Sequence, residues 1–145
     1  MNRPTSLMLI ILVLLSSCVS PPEYTDGLLE NIPAVVNETD YFSLSILGDD
    51  YTDEKEWDIA LTTVDTDIIL STLVIKDLTI NSSDSSYLYL MRESGDVIFT
   101  AGLFSELVWT SQDSIGIIGA PKKVAFSGKK FTGRLEYQLI KNPND

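Results

Sequence analysis

The stretch that most constrains the fold lies near the C-terminus, Phe131 to Ile140 (FTGRLEYQLI). Phe131, Leu135, Tyr137 and Leu139 point one way, and Thr132, Arg134, Glu136 and Gln138 the other. Alternation of period 2 is the mark of a strand buried on one face and wet on the other. The same period runs through Tyr41 to Leu47 (YFSLSIL), where Phe42, Leu44 and Ile46 alternate with Ser43 and Ser45. A chain with half-buried strands at both ends of its folded part must bring their apolar faces together. That excludes a helical bundle and favours packed sheets.

The segments between them read as further strands. Gly48 to Glu56 (GDDYTDEKE) has the composition of a charged loop, and Trp57 to Val64 that of a strand with Trp57, Ile59 and Leu61 on one face. Asp65 to Asp67 makes a turn. Ile68 to Ile80 is either one strand with a bulge or two strands meeting at Lys76-Asp77. Asn81 to Ser86 is a polar loop. Tyr87 to Arg92 and Val97 to Thr100 form a hairpin about a turn at Glu93 to Asp96. Leu103 to Thr110 fits a short helix and a strand equally. Ile115 to Ile118 and Lys122 to Phe126 read as short strands, and Ser127 to Lys130 as a turn. The expectation is an all-β domain over residues 40–145, an antiparallel sandwich or barrel of about eight to nine short strands. Neither an internal repeat nor a second domain is visible.

The N-terminus is of a different kind. Arg3 is followed by an unbroken apolar run from Leu7 to Leu15, then by Ser16, Ser17 and Cys18, the single cysteine of the chain. A positive start, an apolar middle and small residues at the end make a secretory signal peptide. The run is nine residues long, and a permanent membrane span needs ~20. Leu15-Ser16-Ser17-Cys18 resembles the lipobox of bacterial lipoproteins. That resemblance implies removal of residues 1–17, a diacylglycerol on the Cys18 thiol, and a protein held to the cell-envelope membrane by its lipid. Val19 stands where that family carries an aspartate for inner-membrane retention, which implies the outer membrane if the organism has one. Residues 18–39, with Pro21, Pro22, Gly27 and Pro33, read as the lipidated cysteine and a flexible tether.

Charge and missing residue types narrow the chemistry. The chain contains no histidine, which removes the commonest general base, metal ligand and pH switch. Ser-His-Asp, Cys-His and zinc-hydrolase arrangements are therefore excluded. With its one thiol lipidated, the mature chain has no disulfide and no cysteine metal site. Residues 18–113 carry 19 acidic and three basic groups, whereas residues 114–145 carry six basic and two acidic ones. An acidic body of this kind repels nucleic acid. The reading is a non-catalytic, monomeric binding or assembly module. Its rival class is a hydrolase working through paired carboxylates, for which no pair stands out.

Three groups remain as candidate sites. Asp49, Asp50 and Asp53 lead an acidic cluster that could offer oxygen ligands to a hard cation, although its spacing departs from the helix–loop–helix calcium pattern. Lys122, Lys123, Lys129 and Lys130 would form a positive patch about the Ser127-Gly128 turn, either pairing with the molecule's own acids or docking an envelope protein or a polyanionic polymer. Tyr87 and Tyr89 share a strand face, as core residues or as a binding platform.

One further resemblance lies in Tyr41-Phe42-Ser43-Leu44-Ser45, a charged stretch, then Trp57-Asp58-Ile59-Ala60-Leu61. This order is similar to the start of HmuY-type haem-binding lipoproteins, which are all-β and lipid-anchored. It implies haem, or another hydrophobic ligand, as an alternative cofactor. That family often holds haem iron through histidines, which are absent here. Met91, the one methionine of the folded part, would be the candidate axial ligand.

Overall fold

The computed structural model describes residues 27–81 and 83–143; Cys18, the segment before it and the first part of the tether lie outside them. Among the described residues are seven strands: β1 (Ala34–Asn37), β2 (Tyr41–Asp58), β3 (Ile68–Thr79), β4 (Tyr87–Met91), β5 (Val97–Gly102), β6 (Leu107–Ser114) and β7 (Lys123–Lys141). A single-turn helix, α1 (Ile115–Ile118), separates β6 from β7. All ladders are antiparallel.

Two long strands organise the rest. β2 has 18 residues and β7 has 19, and they pair along almost their whole length. A straight strand of β2's length would span about 60 Å. Yet the Asn37 side chain, just ahead of β2, donates to the carbonyl of Asp58 at its far end (2.8 Å) and accepts from the Ala60 amide (2.8 Å). The long pair must therefore fold back on itself. It does so at Gly48 to Asp53, where the register with β7 shifts twice. Asp50 and Lys130 sit there with φ of 50° and 56°, the left-handed region that L-residues seldom enter. Each has its amide satisfied by a threonine of the other strand. The Asp50 amide donates to Thr132 Oγ1 and the Lys130 amide to Thr52 Oγ1, both at 2.9 Å. Gly48 allows the close approach, because a Cβ there would lie 2.5 Å from the Phe131 ring.

The bend divides one sheet into two wings. The first holds β1, the start of β2, the end of β7, β3 and β6; the second holds the end of β2, the start of β7, β4 and β5. Strands that cross from layer to layer through bulges are how a single sheet makes a sandwich. The shift also exchanges the buried parity. Val124 and Phe126 are buried before the bend, and Phe131, Leu135, Tyr137 and Leu139 after it. Both halves then feed one core, in which Phe42, Leu44 and Ile46 are fully buried in the same cluster as Leu88 and Leu90. Phe99 of β5 stacks on Trp109 of β6 at 4.5 Å and lies over Tyr137 at 6.2 Å, which joins the wings across the interior.

The all-β antiparallel sandwich expected from sequence is what forms, with corrections to its parts. It has seven strands, two of them long, in place of eight or nine short ones. Gly48 to Glu56 is the middle of β2, and from Tyr51 onward its charges lie on a strand whose outer edge is paired by no other described strand. Ser127 to Lys130 is the bulge of β7 and no turn. Ile115 to Ile118 is helical, its turn closed by the Gly119 amide donating to the Ile115 carbonyl (2.8 Å). Beyond Asp58 the chain leaves the ladder, although Ile59 and Leu61 still reach the core. Leu103 to Glu106 is irregular and β6 starts at Leu107. Ala34 to Asn37, inside the stretch read as tether, pairs with β2. Ile68 to Thr79 is one strand with a bulge after Lys76.

Candidate binding face

The outer face of the second wing carries the feature most suited to binding. Leu88 and Leu90 are buried, so Tyr87, Tyr89 and Met91 project outward from β4. The pairing of β4, β7 and β2 then sets three rows across the face: Tyr87, Ser127, Glu54; Tyr89, Ala125, Glu56; and Met91, Lys123, Asp58. Large side chains form one bank, acidic ones the other, and the small Ala125 and Ser127 the floor between. The result is a hollow of about 310 Å³ lined by Glu54, Glu56, Tyr89, Met91, Val97 and Ala125 among others. Further hollows extend it toward the bend, past Ser127 and Lys129, and toward the far end, past Lys123 and Arg92.

Aromatic packing stiffens the first bank. Tyr87 and Tyr89 stack with centroids 6.0 Å apart, and Phe104 meets Tyr87 edge-on at 5.2 Å. Rings held this way lose little freedom when a ligand arrives. At the far end Arg92 Nε donates to the Ile118 carbonyl (2.9 Å) and ties α1 to β4.

The sequence-predicted residues fall into separate places. Lys122 and Lys123 lie at one end of the trough and Lys129 and Lys130 at the bend, so the four do not form one patch. Lys123 donates to Glu56 at 2.8 Å, and this carboxylate raises the lysine pKa. Lys129 and Lys130 are exposed and form no ion pair with the described residues. Asp53 is bridged by Lys55 at 2.9 Å, which holds its carboxyl below the usual range, and it accepts from the Tyr51 hydroxyl at 3.1 Å. Tyr51 is itself pushed up to about 12 by burial and then by that carboxylate. Asp49 and Asp50 stand exposed at the bend. Among the described residues no three carboxylates gather as a metal site. Met91 lies in the trough beside Tyr89.

Sequence reading singled out the tyrosine pair but missed Glu54, Glu56, Ala125 and Ser127 as its partners. Small residues at alternating positions in Val124-Ala125-Phe126-Ser127 are the one local sign of a floor, and they acquire meaning only beside the rows that flank them. No family model matches this chain, and a search of curated proteins finds no match.

Proposed function

We propose that this protein is a lipid-anchored envelope lipoprotein, acting as a non-catalytic binding module through the trough on its second wing. The observation that carries the reading is the ordering of that face: a stiff aromatic bank, a floor of Ala125 and Ser127, and an acidic bank. Concave, largely apolar surfaces with a few placed polar groups are where ligands bind. The anchoring half rests on Leu15-Ser16-Ser17-Cys18. Labelling cells with a palmitate analogue tests it: the wild type should label and Cys18→Ala should not, and equal labelling of both would remove the anchor.

The trough is tested by capture from native envelope extracts. Tyr89→Ala removes part of one bank, and Ala125→Leu fills the floor on the outer face, away from the core. Both are expected to keep the fold and to lose the captured component. Capture that survives both substitutions would show that the ligand binds elsewhere. Haem is the second reading, favoured by Met91 lying in the trough beside Tyr89. A saturable Soret shift on titrating haemin, lost in Met91→Ala, would put it first. We place it second because Met91 is the one candidate iron ligand in the trough and the facing bank is the acidic pair Glu54 and Glu56, which would oppose haem's carboxylates.

A further inference from the structure

The sheet has long lateral edges, and it treats them differently. The edge of β2 from Tyr51 to Asp58, which no other described strand pairs with, carries Asp53, Glu54, Lys55, Glu56 and Asp58. Charges along an edge are a device against pairing with another chain. β1 is only four residues long, and β5 pairs through a register shift at Leu90/Met91; short and bulged edges are guarded in the same sense. β6 has the least of these protections. It is eight residues long, pairs with β3 without any shift, and contains neither lysine nor proline. Its one charge, Asp113, accepts a hydrogen bond from Ser111 of the same strand. Among the described residues nothing pairs with its outer edge. Val108 is 74% exposed and Leu107 40%.

We propose that the outer edge of β6 is a strand-addition site for an extended, neutral-to-basic segment of a partner protein, one of whose apolar side chains covers Trp109. The unpaired amides and carbonyls of the edge select an extended backbone. Charge selects among the bearers of one. A second copy of this chain would bring another net charge of −11, which opposes self-pairing, whereas a basic segment is drawn in. The side-chain rows select the pattern. Val108, Thr110 and Gln112 lie on the outer face beside Val74, Thr72 and Leu70 of β3, a surface suited to β-branched neighbours. Leu107 and Trp109 lie on the inner face. Trp109 stacks on Phe99 at the mouth between the wings and is only partly buried there. An added strand would place a side chain over that stack and dry it.

The test uses the full chain in detergent with a probe peptide of alternating valine and threonine flanked by lysines. A twin probe is N-methylated at alternate amides, so that one backbone edge cannot pair. In a Trp57→Phe background Trp109 is the sole tryptophan. The plain peptide is expected to shift Trp109 emission saturably, and the methylated twin to bind at least about tenfold more weakly, as loss of a backbone hydrogen bond or more implies. Val108→Lys adds the missing edge charge at an exposed position and should abolish the shift; Val108→Thr should retain it. Titration calorimetry on the unsubstituted chain gives the same comparison should Trp57→Phe disturb the fold. Equal binding of both peptides, no binding of either, or indifference to Val108→Lys would overturn the proposal. Sedimentation showing a dimer that Val108→Lys dissolves would also overturn it, since the edge would then take a second copy.

Discussion

Tyr137 has the most demanding position of any residue in the core. Its side chain is fully buried, and its hydroxyl has no partner at good hydrogen-bond geometry; Ser71 and Asp113 are the polar groups that act on it. Burial pushes its pKa far above the ordinary 10.0. The consequence for stability has a definite sign. In the unfolded chain a tyrosine loses its proton near 10, while in the folded chain Tyr137 keeps it well beyond. Above pH 10 the unfolded state therefore binds fewer protons, and stability that is complete below that pH is lost as pH rises. Tyr51, raised to about 12, acts in the same direction. Tyr137→Phe should blunt this alkaline loss, as read from thermal melts between pH 9 and pH 11, an interval chosen to bracket the ordinary tyrosine value. At neutral pH it should change stability by no more than about 1 kcal/mol, since the hydroxyl removed has no good bond to lose. A cost of about 3 kcal/mol would show that the hydroxyl holds a strong bond instead.

At the scale of elements, the bend decides the architecture. Asp50-Tyr51-Thr52 and Lys130-Phe131-Thr132 form a reciprocal clasp, each threonine capping the amide of the left-handed residue opposite. Replacing either Thr52 or Thr132 by valine should cost about 0.5–1.5 kcal/mol, the usual net worth of a hydrogen bond whose exposed amide water can reach once the bond is lost. The double variant should cost less than the sum of the two if the bend yields as a unit, which a double-mutant cycle by chemical denaturation measures. Strict additivity would mean two independent bulges. This element was also the least legible in the sequence. Period-2 alternation in Tyr41 to Leu47 and Phe131 to Ile140 identified the strands on one side of the bend and the class of fold. The charged run from Gly48 to Glu56 looked like a loop because charge density marks exposure, and an edge strand is exposed. Ser127-Gly128-Lys129-Lys130 looked like a turn for a related reason, since it bends without reversing. In the trough, Tyr87 and Tyr89 were visible as a pair, but Glu54 and Glu56 are 73 and 69 residues away from Ser127 and Ala125 in sequence. Only the strand register brings them to one face.

At the scale of the whole molecule, charge is divided by position. The acidic row of Glu54, Glu56 and Asp58 follows one edge of the second wing, and Lys123 is already committed to Glu56. Lys129 and Lys130 are different, being exposed at the bend without an ion-pair partner among the described residues. Asn31 also meets the bend, accepting from the Asp49 amide at 2.9 Å and donating to its carbonyl at 3.0 Å. The bend is thus where the described N-terminal segment meets the long strands. Two positive side chains on a body of net charge −11 could act within the molecule or outside it. Intramolecular pairing would contribute little even where formed, since exposed pairs are worth about 0–1 kcal/mol, and among the described residues Lys129 and Lys130 have no such pair to lose. Docking is then the reading with consequences. Lys129→Glu together with Lys130→Glu should leave the melting temperature nearly unchanged. It should also abolish, in a salt-sensitive way, capture of an acidic envelope component, because attraction between exposed charges decays over ~8 Å at physiological salt. Capture should fall in the wild type as salt is raised and be absent at all salt concentrations in the variant. A melting temperature lowered by several degrees with capture intact would assign the lysines to the fold, and no change in either would leave them without a role in binding.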